Sequence, residues 1–300
     1  LQDNFSKEII QYSWNSNQIM KRVTMYHLSG NANGIVIPGI DESSRVNGSR
    51  NGGVTSAWTG EAATIADSKP SFRKIQLSCN KLTGLAYATD ELVQDAEVLG
   101  KFIQKVFLAE INFKVGDALF SGSGAGMPLG CLASGACVTV SKEGGQAADT
   151  IIYENLTKMW SRLFANSRKN ACWFINQDCE PQLLSLSLSV GTGGAPIYMP
   201  SSGVNTGPYN TLFGRPVIPT EFNPTLGDSG DILLASFEDG MVACDRGAPR
   251  TDSSMHVLFD TDEMAYRFVY RMDAQPVLAS PITPYLGTAT QSHFVRLEDR

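Results

Sequence analysis

Residues 58–130 read WTGEAATIADSKPSFRKIQLSCNKLTGLAYATDELVQDAEVLGKFIQKVFLAEINFKVGDALFSGSGAGMPLG, and the succession of textures within them decides the fold. From Phe72 to Cys79 the chain alternates, with Ile75, Leu77 and Cys79 on one side and Lys74, Gln76 and Ser78 on the other. That is the period of a strand buried on one face. After Asn80 and Lys81, Leu82–Ala88 reads as its antiparallel partner, so Trp58–Ala88 is predicted to be a long, protruding hairpin. Thr89 and Asp90 offer a helix cap, with Asp90 and Glu91 near the positive end and Leu92 and Val93 as the apolar residues. A longer helix is predicted from about Glu97 to Phe120. Its first turns carry the stripe Leu99, Phe102, Ile103 and Val106, and its later turns are apolar nearly all round, as in a helix that packs on several sides. Gly122, Gly124, Gly126, Pro128 and Gly130 then end it as a cap and turn.

Upstream, Asn31–Gly53 is rich in Gly, Ser and Asn and reads as an extended arm. Downstream of Gly130 the texture turns to α/β, with a helix near Ile151–Ala165, a strand at Ala171–Ile175 and a helix near Glu180–Leu186. A Gly-, Ser- and Pro-rich loop, Ser189–Pro208, precedes Phe213-Gly214-Arg215-Pro216-Val217, and a strand follows at Ile232–Phe237. Met264, Tyr266, Phe268, Tyr270 and Met272 alternate with Ala265, Arg267, Val269 and Arg271, which predicts a long amphipathic strand.

With 42% hydrophobic and 18% charged residues in 300, the chain has enough apolar mass for one large or two modest domains. No apolar run approaches the about 20 residues that cross a bilayer, so the chain is expected to be soluble with no membrane partner. No charged region followed by an apolar one marks a signal peptide. A net charge of −6 without a basic block argues against a protein that grips nucleic acid through many phosphates. The six cysteines form no C-x-x-C pair and are read as reduced, mostly buried thiols.

No catalytic constellation is found. Gly227-Asp228-Ser229-Gly230 echoes the nucleophile segment of chymotrypsin-like proteases, but Asp231 replaces the following glycine, and a mixed chain is unlike their double barrel. A polar turn before a strand is the simpler reading. The Gly122–Gly126 cluster follows a helix instead of opening one and lacks the Gly-Lys-Ser/Thr ending of a phosphate loop. His27, His256 and His293 stand apart, without metal-ligand spacing, and no acidic pair is singled out as a glycosidase-like couple. No cofactor or metal is expected.

An ordered series remains: Trp58-x-x-Glu61, Ser68, Pro70, Phe72, Ile75, Leu77, Lys81-Leu82, Glu91-Leu92 and Asp95. It continues through Asp117, Phe120, Gly122, Gly124 and Pro128-x-Gly130, then Trp173–Asn176, Gly214-Arg215-Pro216-Val217, Asp245-Arg246 and Phe259 through Arg271. In order and spacing this series, spanning Trp58 to Pro276, resembles the major capsid proteins of tailed bacteriophages.

The resemblance implies an α+β chain of the Hong Kong 97-like fold. It implies an N-terminal arm over 1–55, an extended loop over 56–80, a peripheral domain over 81–130 and 250–285 with a spine helix at about 97–120, an axial domain over 131–249 and a C-terminal tail over 286–300. It further implies a non-enzymatic shell protein that self-assembles as hexamers and pentamers into an icosahedral virion capsid in the host bacterial cytoplasm. Double-stranded DNA would be enclosed without sequence-specific binding, and portal, scaffold or maturation protease and decoration proteins are the further partners it admits. Trp58, Glu61, Phe72, Lys74, Ile75, Leu77, Arg215, Arg267 and Arg271 are the expected assembly residues. Some members join subunits by a Lys–Asn isopeptide bond. Lys69 and Lys74 could supply the amine, but no Asn follows Asn223 to supply the partner from the C-terminal half of the peripheral domain, so no cross-link is expected. Two alternatives stay open: an encapsulin-type compartment shell on the same fold, and a serine hydrolase using Ser229.

Overall fold

A computed structural model describes residues 19–29, 32–89, 99–188, 195–196, 211–258 and 261–300. Residues 1–18, 30 and 31 of the expected arm, the cap residue Asp90, the predicted helix start at Glu97, most of the loop 189–208 and Phe259 lie outside the described residues, whereas the rest of the arm supplies the strand Thr24–His27 and one strand of a hairpin.

The first sheet is organised by the predicted long strand, β14 (Glu263–Pro276). β4 (Asn80–Thr89) runs antiparallel along one edge, Asn80 opposite Met272 and Thr89 opposite Glu263. The other edge carries β12 (Met241–Asp245) and β13 (Arg250–Leu258) end to end, and β1 (Thr24–His27) adds in parallel to β12. Tyr266, Phe268, Tyr270, Met272 and Ala274 point to one face, which α1 (Leu99–Ser121) covers with Ile103, Phe107, Ile111, Val115 and Leu119. Those residues recur every fourth position and so fall on one side of a helix. Phe107 stacks on Phe268 with ring centroids 4.3 Å apart and planes 5° from parallel. Gly84 makes this approach possible, because a Cβ there would lie 2.7 Å from the Phe107 ring. The stripe therefore runs through Phe107 instead of Phe102 and Val106, and Leu108 stays 40% exposed. Packing on more than one side is reached in the last turns, where Phe113 also meets Phe222 at 5.2 Å.

The second sheet has the order β5 (Val138–Val140), β15 (Phe294–Leu297), β11 (Ile232–Ala235), β6 (Cys172–Ile175), β10 (Arg215–Pro219) and β9 (Thr211–Leu212). Alternate residues serve two cores. Phe174, Leu233, Ala235 and Phe294 join the core under α1, while Trp173, Ile175, Ile232, Leu234, Val295 and Leu297 face α2 (Tyr153–Arg162) with its Leu156 and Met159. Short α3 (Glu180–Ser185), α4 (Phe237–Gly240) and the two-residue pair β7 (Ser187–Leu188) and β8 (Ala195–Pro196) are smaller elements. The expected tail over 286–300 is thus in part an interior strand: Phe294, Val295 and Leu297 are buried, and the Arg300 guanidinium forms an ion pair with Asp231, both side chains fully enclosed.

The predicted hairpin exists with a different partner. β3 (Phe72–Ser78) pairs antiparallel with β2 (Gly34–Ile40), not with Leu82–Ala88, which belongs to β4 on the first sheet. Ile35 and Ile37 face Leu77 and Ile75 across the ladder and give both strands one apolar side. Pro38 and the glycines around it disguise β2 in sequence. A proline that donates no ladder bond is tolerated because, among the described residues, β2 has no partner on its other edge. The protruding unit is therefore 34–78, with a long turn over 41–71.

Candidate assembly surface

The hairpin has two unlike faces. Ile75, 2% exposed, and Leu77, 1% exposed, pack with Ile35, Ile37 and Val277 on Val242 and Cys244 of β12. These two expected assembly residues are instead the root that fixes the hairpin to its own sheet. Val36, Pro38, Ile40, Phe72, Lys74 and Gln76 alternate with them and face outward. The turn beyond is more open still: residues 53–72 are all exposed, with Trp58 at 105% and Ile65 at 79%. Its only charges between residues 55 and 68 are Glu61 and Asp67. A tryptophan without an internal contact is costly to leave in water, and a row of such residues marks a surface made for a partner.

A second surface lies on the face of the first sheet that α1 leaves uncovered. Beyond the hairpin root, Lys81, Arg246, Arg250, Arg267 and Arg271 line a groove of about 350 Å³ with Asp252 as its one carboxylate. Lys81 stands directly opposite Arg271 across the β4–β14 ladder. Like charges so placed repel. Arg267 is neutralised by Asp252 at 2.8 Å, and this guanidinium holds the Asp252 carboxyl below its ordinary range. No carboxylate pairs with Lys81, Arg246 or Arg271 among the described residues. In a chain of net charge −6, these cations concentrate positive potential on one face of the sheet.

Of the remaining expected residues, Arg215 lies away from both surfaces, on β10, where its guanidinium donates to the Lys169 carbonyl. Sequence reading found Arg267 and Arg271 but missed Lys81, Arg246 and Arg250. The alternation along β14 gives the first two, whereas cross-strand register, which one strand does not contain, brings the others. Ser229 lies in a turn and donates to the Leu297 carbonyl at 3.4 Å, while neighbouring Asp228 accepts from Thr225. Among the described residues, no three His, Cys, Asp or Glu side chains form a metal-sized cluster. No helix there is long and apolar enough to cross a membrane.

A helix laid along a twisted sheet, a second sheet sharing its core and a hairpin projecting beyond both define the architecture of phage major capsid proteins, the Hong Kong 97-like fold. Solved capsids superpose on it over nearly the whole chain. The capsid of a native GTA particle aligns with a TM-score of 0.75 at 15% identity, covering 99% of this chain and 94% of that one. Microbacterium phage Oxtober96 gives 0.67 at 15% identity, with 99% and 96% covered. The capsid of Myoviridae phage XM1 gives 0.60 at 11% identity, with 99% and 97% covered. No curated protein matches the chain in sequence. The phage capsid family matches residues 1–286, and the chain belongs to that family.

Proposed function

We propose that this chain is the major shell protein of a tailed phage or phage-like particle, assembling through hexamers and pentamers into an icosahedral shell that encloses double-stranded DNA. The observation that carries the reading is the far part of the hairpin turn, residues 53–71, which are all exposed and include Trp58 and Ile65. Such a turn becomes ordered by lying on a neighbouring copy. Its two carboxylates, Glu61 and Asp67, complement the cationic groove of Lys81, Arg246, Arg250, Arg267 and Arg271, so the turn of one copy is assigned to the groove of the next. Repeated around a ring, each contact of modest area adds to the others and the shell closes cooperatively. Residues 81–130 with β12, β13 and β14 then serve as the peripheral domain, and residues 131–240 with β15 as the axial one. Portal, scaffold or maturation protease and decoration proteins are the further partners of such a shell.

Electron microscopy of the expressed protein tests the reading. Closed icosahedra are expected from the unaltered chain, and Arg271→Glu or Glu61→Lys should each lower their yield about tenfold, with partial recovery in the double variant. Soluble single subunits at every concentration would refute shell formation. Small shells filled with protein cargo instead of DNA would assign the chain to an encapsulin-type compartment.

A further inference from the structure

The root of the hairpin holds two thiols that assembly does not use. Cys79 is the single residue between β3 and β4, the point where the chain leaves the hairpin and enters the first sheet. Its backbone N–H donates to the Asn33 carbonyl, beside the hairpin's other strand, at 2.8 Å. Its Sγ lies 3.4 Å from the Sγ of Cys244 on β12, and both residues are buried in the small core that seats Ile75 and Leu77. Among the described residues the other four cysteines make no Sγ–Sγ hydrogen bond: Cys131 contacts the Phe120 carbonyl, its neighbour Cys137 the Val138 carbonyl and Cys179 the Asp231 carbonyl, while Cys172 packs in the core under α1.

We propose that Cys79 and Cys244 are an oxidation site, forming a disulfide with an oxidant of the glutathione-disulfide class and so tying the hairpin root to the sheet. One protein thiol loses its proton and attacks a sulfur of the oxidant, forming a mixed disulfide and expelling one glutathione thiolate, which takes up the proton. The second protein thiol loses its proton, attacks the protein sulfur of the mixed disulfide and releases the other glutathione as a thiol. Two protein thiols are oxidised by two electrons, and one small disulfide is reduced to two thiols. The sulfurs must close from 3.4 Å to about 2.05 Å, which asks the root to settle on the sheet without any change in strand pairing. Burial pushes both thiols above their ordinary value, Cys244 to about 12, so thiolate is scarce while the root is closed and exchange proceeds when it opens. The bond would span 165 residues of sequence and tie the point where the chain leaves the hairpin to β12.

This inference goes beyond the shell reading and is tested on the single chain. The full-length protein is incubated with oxidised glutathione, both as purified and after unfolding and refolding in the same buffer. Free thiols are then alkylated and the protein is mapped by mass spectrometry. The expected result is a loss of about 2 Da, a Cys79–Cys244 peptide, four alkylated cysteines, a higher Tm and slower amide exchange in 34–40 and 72–78. Cys79→Ser should leave every remaining thiol free. Six free thiols after both treatments would overturn the proposal. So would a bond between any other pair, or a Cys79–Cys244 bond confined to protein that has lost its native fold.

Discussion

His293 is enclosed beside Phe164 and Gly240 with its Nδ1 2.7 Å from the Ser167 hydroxyl, and this burial pushes the imidazole below its ordinary range against a weaker opposing pull from Asp239. An unfolded chain takes up the proton near pH 6.5, whereas the folded chain resists it, so the folded state loses relative stability as acid is added. The contribution is full above about pH 6.5 and disappears as pH falls through the depressed folded value. Thermal melts at pH 7.5 and 5.5 check this: His293→Gln should show a smaller loss of Tm between them than the unaltered protein. Asp231 and Arg300 make the other demanding residue-scale contact. Asp231 accepts from the Gly227 and Ile232 N–H groups and faces a guanidinium as deeply buried as itself. Removing one partner strands a buried charge, so Arg300→Ala should cost about 3–5 kcal/mol in denaturant titration, while a surface change such as Lys142→Ala should cost almost nothing. Neither contact was visible in the sequence. Each joins residues dozens of positions or more apart, and neither Arg300 nor Ser167 stands out from its neighbours.

Elements were read well where the apolar residues form a periodic or continuous local run. The predicted helices near 151–165 and 180–186 and the strands at 171–175, 232–237 and 264–272 all formed within a few residues, because periodic apolar positions act locally. Pairing was read poorly, and for a physical reason. β3 and β4 adjoin in sequence with Cys79 alone between them, yet β4 gains more from ten residue pairs along β14 than it would from folding back on seven residues of β3. β2, marked by Gly34, Pro38 and Gly39, does not look like a strand until an apolar partner face is supplied. The stripe of α1 was likewise half legible, since Phe107 becomes an anchor only through the space left by Gly84. Phe107→Ala should lower stability by about 2 kcal/mol and Gly84→Val by a similar amount, both measured by chemical denaturation. The former leaves a void between helix and sheet, and the latter drives a side chain into the ring.

Across the whole molecule the two cores are stitched together by the second sheet, so α1, both sheets and the hairpin root are expected to unfold together, while the exposed stretch 53–71 lies outside that unit. Amide exchange should separate the two in the isolated subunit: fast throughout 53–71, slow in β6, β11 and β14. In assembled particles the same turn should slow by about tenfold or more as a neighbour covers it, with little change in the cores. The general architecture was legible from the order of textures between Trp58 and Pro276. The cationic groove was not, because it is composed by three strands meeting side by side.

The position of β15 also sets a schedule for biosynthesis. It lies between β5 and β11, with Val295 opposite both Val138 and Leu234, so the second sheet has an open slot until residues 294–297 have left the ribosome. The hairpin and its root are made some two hundred residues earlier and must wait for the core that supports the first sheet. Until that strand docks, β5 and β11 lack the neighbour that joins them, and the cores on both faces of the second sheet stay incomplete.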